Sequence, residues 1–168
     1  KKAPDFTAVD CNGNPHHLRD YLGKTVVLEW TNKDCPFVKK YYKQGHMQAL
    51  QQLMTSQDVV WLAVISSGEN KQGYLSAEQC QIYQKQANMQ ATAILRDPTG
   101  ELGRLYAAKT TPHMFVINPE GYLVYQGAID SIASANTKDI DKAKNYVVDT
   151  VKAIQQKDVL PKASTAPY

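Results

Sequence analysis

Short apolar runs alternate along this chain with longer polar segments. The apolar runs predict strands at residues 25–30, 59–65, 93–95, 114–117 and 122–125. The segments between them have helical periodicity and predict helices at residues 36–53, 76–88, 102–107 and 137–156. The run at 59–65 contains no charged or amide side chain, which is typical of a central strand covered on both faces. This alternation predicts an α/β domain built around a mixed or parallel sheet.

Local signals place the boundaries of several elements. The sequence Asn12-Gly13-Asn14-Pro15 predicts a turn near the N-terminus, and residues 118–121 predict a hairpin between the last two strands. Ser76 and Gln79 have the spacing of a capping box at the start of a helix. Residues from about 159 onward predict a flexible tail. No repeat or linker divides the chain, so we expect a single domain over residues 1–168.

Length and charge limit the functions that the chain can have. Its 168 residues, of which 43% are hydrophobic, suffice for one well-buried core. The net charge of +3 is spread along the sequence, which disfavours a nucleic-acid partner. No apolar run approaches the roughly 20 residues that span a bilayer, so we expect a soluble product without membrane insertion. The start at Lys1 rather than Met favours an exported protein, periplasmic or otherwise extracytoplasmic, and leaves a cytoplasmic one open.

One cysteine lies where chemistry is expected. The predicted strand at 25–30 is followed by a short polar turn, then Cys35, then Pro36, which suits the first position of a helix. Free N–H groups at a helix N-terminus and nearby lysines stabilise a thiolate, the reactive form of cysteine. Asp34 and Pro36 flank the sulfur, and we expect both to contact a substrate. The alternative is an unreactive core cysteine.

The other two cysteines have no clear pattern. Cys11 falls on the predicted N-terminal hairpin and Cys80 on a predicted helix. Three cysteines allow at most one internal disulfide, and their spacing matches neither a disulfide framework nor a zinc site. Each is either a structural residue or a partner that resolves an oxidised Cys35.

The order of these features resembles the thioredoxin superfamily, and within it the redoxin branch of AhpC/TSA, peroxiredoxin-like proteins. The resemblance covers nearly the whole chain and rests on the strand–Cys35–helix corner, the pair Thr111-Pro112 before a strand, and the hairpin at Gly121. It implies a thioredoxin-like three-layer α/β/α sandwich with a central mixed β-sheet, here with an N-terminal β-hairpin extension. No cofactor is implied. A Sco-like copper site would need a cysteine where Lys39 stands, so metal binding is disfavoured.

The resemblance also implies roles for individual residues. Pro112 is expected to be a cis-proline that faces Cys35, and the main chain of Thr111 is expected to pair with an extended substrate. Glu29 precedes Cys35 by the same number of residues as the buried carboxylate of thioredoxins precedes their active cysteine. If Glu29 lies beneath the active turn, it exchanges a proton with the sulfur. If it points to solvent, it has no role. His113 either approaches the sulfur as a cation or donor, or is an ordinary strand residue.

Three functions are then compared. The first is an oxidoreductase in which Cys35 reduces a peroxide and becomes a sulfenic acid. The second is a thiol–disulfide oxidoreductase that acts through mixed disulfides with protein or small-molecule substrates, and the third is a non-catalytic binding module. Peroxiredoxin-like activity ranks first, although Asn32 and Leu28 stand where that family's threonine and proline are expected.

Both enzymatic functions need a second thiol. The place of the second cysteine in a Cys-x-x-Cys pair is taken by Val38, so no vicinal disulfide forms. Resolution of Cys35 therefore depends on an external thiol reductant, on Cys80 or Cys11, or on a cysteine in a tail beyond Tyr168, which the resemblance suggests. The arginines Arg96 and Arg104 do not match the activating arginine of peroxiredoxins.

Overall fold

The computed structural model describes residues 1–168 as one seven-stranded sheet with helices on both faces. The strands are β1 (Thr7–Asp10), β2 (Pro15–His17), β3 (Val26–Trp30), β4 (Val60–Ile65), β5 (Ala93–Arg96), β6 (His113–Ile117) and β7 (Leu123–Gly127). Their order across the sheet is β2-β1-β5-β4-β3-β6-β7. Strand β4 runs parallel to β3 and β5, whereas the other neighbours are antiparallel. The mixed sheet and the N-terminal hairpin were both predicted.

The helices are α1 (Pro36–Tyr42), α2 (His46–Ser56), α3 (Ala77–Gln86), α4 (Glu101–Leu105) and α5 (Tyr146–Gln155). Apolar side chains of α1, α2 and α5 form a core cluster with one face of the sheet, and α3 packs on the same face. The opposite face is covered by α4 and by N-terminal residues that include Phe6 and Leu18. Strands β3, β4 and β6 are buried throughout because both faces are covered. No helix is both long and apolar enough to cross a bilayer.

Two predicted helices differ in extent from the observed ones. The helix expected at 36–53 is divided into α1 and α2, because Gly45 adopts a left-handed conformation with φ 83°. The helix expected at 137–156 begins only at Tyr146, and its N-cap is the side chain of Asn145. Before it, Thr137–Asp139 form only a short 3₁₀ helix, and the Lys144 carbonyl accepts a hydrogen bond of 3.0 Å from the Ser131 amide, which separates this turn from α5. The capping box of α3 is present as predicted.

The last residues of the tail, which the sequence predicts to be flexible from about 159, contact the sheet. Ala163 and Thr165 form backbone hydrogen bonds of 3.1 Å with Gln126 of β7, and the Thr165 hydroxyl accepts a bond from the Ala128 amide at 3.0 Å. Strand β7 lies at the edge of the sheet, and its unpaired backbone groups offer a partner to an extended segment. Composition gave no sign of this pairing, because it depends on an edge strand remote in sequence.

Candidate active site

The turn between β3 and α1 holds Cys35 in a defined position. Cys35 is the N-cap of α1, with Pro36 at the first helical position, and its side chain is partly exposed. Asn32 organises the turn. Its carbonyl oxygen accepts a hydrogen bond of 3.0 Å from the Cys35 amide, and its side-chain oxygen accepts one of 2.9 Å from the Asp34 amide. An asparagine that bonds the backbone two residues later is a recurrent turn device. The asparagine two residues before Asp34 is the signal in the sequence that could have predicted this turn.

The start of β6 brings a second segment to the sulfur. The bond between Thr111 and Pro112 is cis, as predicted. The Cys35 thiol donates a hydrogen bond of 3.1 Å to the carbonyl oxygen of Thr111. This approach follows from the sheet, because Trp30 at the end of β3 pairs with His113 at the start of β6. The structure therefore brings Cys35, Thr111 and Pro112 together.

Glu29 is completely buried, on the same side of the sheet as α1 and α2. Its carboxylate accepts hydrogen bonds from the Tyr42 hydroxyl at 2.6 Å, the Trp61 ring N–H at 2.8 Å and the Gln51 amide at 3.0 Å. Burial raises its pKa to about 7, although these three donors act in the opposite direction. The solvent-facing alternative is therefore wrong. No hydrogen bond joins Glu29 directly to Cys35.

His113 is buried and uncharged. Its ring stacks on Phe115 with centroids 4.5 Å apart, and its Nδ1 accepts the Lys109 amide at 3.1 Å. Burial first, and the charge of Lys109 second, lower its pKa to about 4. The expected cationic role is therefore not supported at neutral pH. The bond to Lys109 instead closes the loop that carries Thr111.

The two residues that flank the sulfur lie at the surface. Asp34 is partly exposed and pairs with Lys33 at 3.0 Å, and Pro36 is exposed. A polar chain near the active turn was not predicted. In this chain of hydrogen bonds the Trp30 ring N–H donates to the Ser66 hydroxyl at 2.9 Å, and that hydroxyl donates to the carboxylate of the buried Asp97 at 2.6 Å. The sequence carries no signal for this chain, because its members come from different parts of the fold.

A second buried polar cluster holds α1 in place. The ammonium of Lys40 is fully buried, lies 3.7 Å from Asp130 and donates to the Tyr168 hydroxyl at 3.0 Å. Asp130 also accepts hydrogen bonds from the hydroxyls of Tyr41 and Tyr168. Lysines are rarely buried unless they are paired, and the sequence alone gave no partner for Lys40. The pairing became visible only in the structure.

Cys11 and Cys80 form a disulfide that links the N-terminal hairpin to α3. Both are almost completely buried, so neither thiol is free to resolve an oxidised Cys35 in this state. Of the three cysteines, Cys35 is the only free one. The structural role considered for Cys11 and Cys80 is thus the one observed.

Comparison with known proteins assigns the chain to a family. The family model described as AhpC/TSA family matches residues 1–126. No curated protein sequence gives a match. Among solved structures, a hypothetical protein from Sinorhizobium meliloti 1021 has a TM-score of 0.82 at 18% identity, with 100% of this chain and 90% of that chain covered.

Two further structures have shorter alignments. The exposed lipoprotein thioredoxin of Streptococcus pneumoniae has a TM-score of 0.60 at 24% identity, covering 79% of this chain and 93% of that chain. A secreted Mycobacterium tuberculosis disulfide oxidoreductase has a TM-score of 0.55 at 19% identity, covering 70% of this chain and 79% of that chain. These likenesses establish the thioredoxin-like fold, and the family model covers most of the chain. The chain therefore belongs to the AhpC/TSA family and is a thiol-based oxidoreductase, of the peroxiredoxin-like or the thiol–disulfide type.

Proposed function

We propose that Cys35 carries out thiol–disulfide exchange through a mixed disulfide with a protein or peptide substrate. The observation that carries this proposal is the 3.1 Å contact between the Cys35 sulfur and the Thr111 carbonyl. That carbonyl belongs to the main chain beside a cis-proline, at a partly exposed position. An extended peptide that offers a backbone N–H to this oxygen would replace the thiol as its donor. The sulfur would then be released for attack next to the bound chain.

The reaction balances with one external thiol. The Cys35 thiolate attacks one sulfur of a substrate disulfide, a new S–S bond forms, and the other substrate sulfur leaves as a thiolate that takes up a proton. A reductant thiol then attacks the mixed disulfide and releases Cys35. Val38 is buried where a vicinal cysteine would stand, and Cys11 is already paired with Cys80. The resolving thiol is therefore expected to come from another molecule.

Glu29 is proposed to act as a positioning and proton-holding group for this step. With a pKa raised to about 7, its carboxyl exists in both protonation states near neutral pH. It has no direct hydrogen bond to Cys35, so any proton exchange between them would pass through an intervening water. Its bond from Tyr42, the last residue of α1, also ties the carboxylate to the helix that Cys35 begins.

Peroxide reduction is a second candidate, favoured by the AhpC/TSA match. In that reaction the Cys35 thiolate attacks the O–O bond, water leaves after protonation, and a sulfenic acid remains. No side chain donates a hydrogen bond to the sulfur, and Arg96 and Arg104 are bonded to the carbonyls of Leu75 and Thr99. A donor that polarises the peroxide is therefore lacking in this conformation, and for that reason we rank disulfide exchange first.

An extracytoplasmic location is proposed as well. The Cys11–Cys80 disulfide suits an oxidising compartment, since cytosolic proteins keep most thiols reduced. Two structural neighbours are described as exposed or secreted proteins. Detection of this disulfide in protein isolated from its native cells, with thiols blocked at lysis, tests the assignment. A fully reduced pair would contradict it.

The test of function compares two oxidants on the same sulfur. Protein with Cys35 free and the disulfide intact is mixed with a cysteine peptide activated as a 2-pyridyl disulfide, or with hydrogen peroxide, at about pH 7. Mass spectrometry then follows mixed disulfide and trapped sulfenic acid on Cys35. Each rate is divided by the rate of free glutathione with the same oxidant. We expect the larger enhancement for the mixed disulfide, and Cys35→Ser to abolish both products.

The possible outcomes separate the three functions. A larger enhancement over glutathione for sulfenic acid than for the mixed disulfide would overturn the proposal in favour of a peroxidase. If Cys35 reacts no faster than glutathione with either oxidant, the non-catalytic binding module is the remaining function. The variant that replaces both Cys11 and Cys80 with alanine serves as the control for disulfide shuffling, because it leaves Cys35 as the only thiol in the chain.

A further inference from the structure

A wide cleft lies directly beside the active turn. It has a volume of about 920 Å³ and is open to solvent. Lys33 and Pro36, on either side of Cys35, belong to its lining, and so do Lys39 and Lys43 further along the chain. The opposite wall comes from the end of α3 and from residues 135–137. No function discussed above uses this cleft.

All the charged residues that line the cleft are lysines, so its charge is positive. No aspartate or glutamate belongs to its lining. Lys39 and Lys43 are exposed, and neither forms a salt bridge, whereas Lys33 is paired with Asp34. The two unpaired lysines are one helical turn apart, since the Lys43 amide bonds the Lys39 carbonyl at 2.9 Å. Like charges at this spacing destabilise a helix. Their arrangement therefore suits an anion supplied from outside.

The remaining wall offers little competing negative charge. Carbonyl groups at the end of a helix carry a partial negative charge, and the end of α3 borders the cleft. The Ala87 carbonyl, however, already accepts a hydrogen bond of 2.8 Å from the Gln48 amide. The fourth lysine in the lining, Lys40, is fully buried and paired with Asp130, so it does not contribute to binding.

We propose that this cleft, called here the lysine cleft and defined by Lys33, Pro36, Lys39 and Lys43, receives an acidic segment next to the reactive cysteine of a protein disulfide substrate. The inference rests on the proposed thiol–disulfide function. An extended protein segment fits better than a small anion, because the two unpaired lysines, Lys39 and Lys43, are exposed and no buried pocket encloses them. The cleft also adjoins the turn where that segment's cysteine would form the mixed disulfide.

The test uses two peptides that carry the same 2-pyridyl disulfide, one with glutamates around its cysteine and one with glutamines. Rates of mixed-disulfide formation with Cys35 are measured at about 20 mM and about 0.5 M salt. The variant Lys39→Gln, Lys43→Gln is compared with Lys142→Gln, Lys152→Gln, a matched loss of two exposed lysines elsewhere. Each rate is divided by the rate with uncharged iodoacetamide, which removes any effect of the variants on thiolate reactivity.

At low salt we expect the acidic peptide to react about fivefold faster than the neutral one with the native protein and with the control variant. The ratio should fall to about one at high salt and in the Lys39, Lys43 variant. Equal rates for both peptides, or a preference that survives the loss of both lysines, would overturn the inference and leave the proposed function standing. Failure of both peptides to form a mixed disulfide, while iodoacetamide still reacts, would overturn both.

Discussion

The substitution Glu29→Gln gives the sharpest test of the buried carboxyl. It removes the titrating group and keeps its size and an amide oxygen able to accept from Trp61 and Gln51. The Tyr42 hydroxyl, which already accepts from Gln51, can accept a second bond from the new amide; its own proton then loses its acceptor, a cost that does not depend on pH. The variant is therefore expected to fold and to differ from the native protein mainly in its dependence on pH.

The magnitude follows from the raised pKa. In the native state the carboxyl has a pKa of about 7, compared with an ordinary value of 4.5. Because the native state holds the proton more tightly than the unfolded chain, Glu29 lowers stability progressively as the pH rises from about 4.5 to about 7. At about 1.4 kcal/mol per pH unit, the full effect is about 3 kcal/mol. Replacement by glutamine removes this loss.

His113 also titrates in this range, so the effect of Glu29 has to be measured as a difference in stability between the variant and the native protein. His113, with a pKa lowered to about 4, contributes stability that is lost as the pH falls from its ordinary value of 6.5 through 4. In the native protein the two groups therefore act in opposite directions over part of the same range. The stability of Glu29→Gln minus that of the native protein cancels the contribution of His113.

The assay is urea unfolding at a series of pH values from 4.5 to 8, with the disulfide intact. We expect this difference to rise by about 3 kcal/mol between pH 4.5 and pH 8, most steeply below pH 7. Glu120→Gln, at an exposed carboxyl, is the matched control and should give a flat difference. A flat difference for Glu29→Gln would refute the assignment of a raised pKa to this carboxyl.

Three further measurements test other parts of the structure. The Cys11–Cys80 disulfide links residues 69 positions apart, so reducing it should lower the free energy of unfolding by about 4 kcal/mol. Urea unfolding with and without reductant measures this change, and an unchanged free energy would contradict a stabilising link. Asp130→Ala should lower the free energy of unfolding by about 3–5 kcal/mol, because it leaves the ammonium of Lys40 buried without its counterion. A change below about 1 kcal/mol in thermal or urea unfolding would contradict the pairing. The ring of His113 should titrate near pH 4 in an NMR titration, and a midpoint near 6.5 would show that it is not buried as described.

Much of the fold could be predicted because it depends on local pattern. The apolar run at β4, the capping box of α3 and the turn at Asn12-Gly13 are each specified by neighbouring residues. The division of the first long helix could not be placed, because Gly45 is tolerated inside a helical pattern and only packing decides whether the chain breaks there. The late start of α5 depends likewise on a pairing between Lys144 and Ser131.

The candidate site divides in the same way. The sequence placed Cys35 at the start of a helix and Pro112 before a strand, because both positions follow from local signals and from the family pattern. It could not decide which way Glu29 faces, since alternation along a strand does not say which side of the sheet is covered at that point. The roles of these residues in the reaction stay predictions.

By itself, the sequence determined the class of fold and the corner that holds Cys35, because strand patterns, helix caps and turns act within a few residues. Only the tertiary structure decided which cysteines pair, that the segment ending at Tyr168 returns to β7 and α1, and that Lys39 and Lys43 face an open cleft. These features join residues far apart in sequence. Their free energy comes from contacts and burial that exist only after the sheet has assembled.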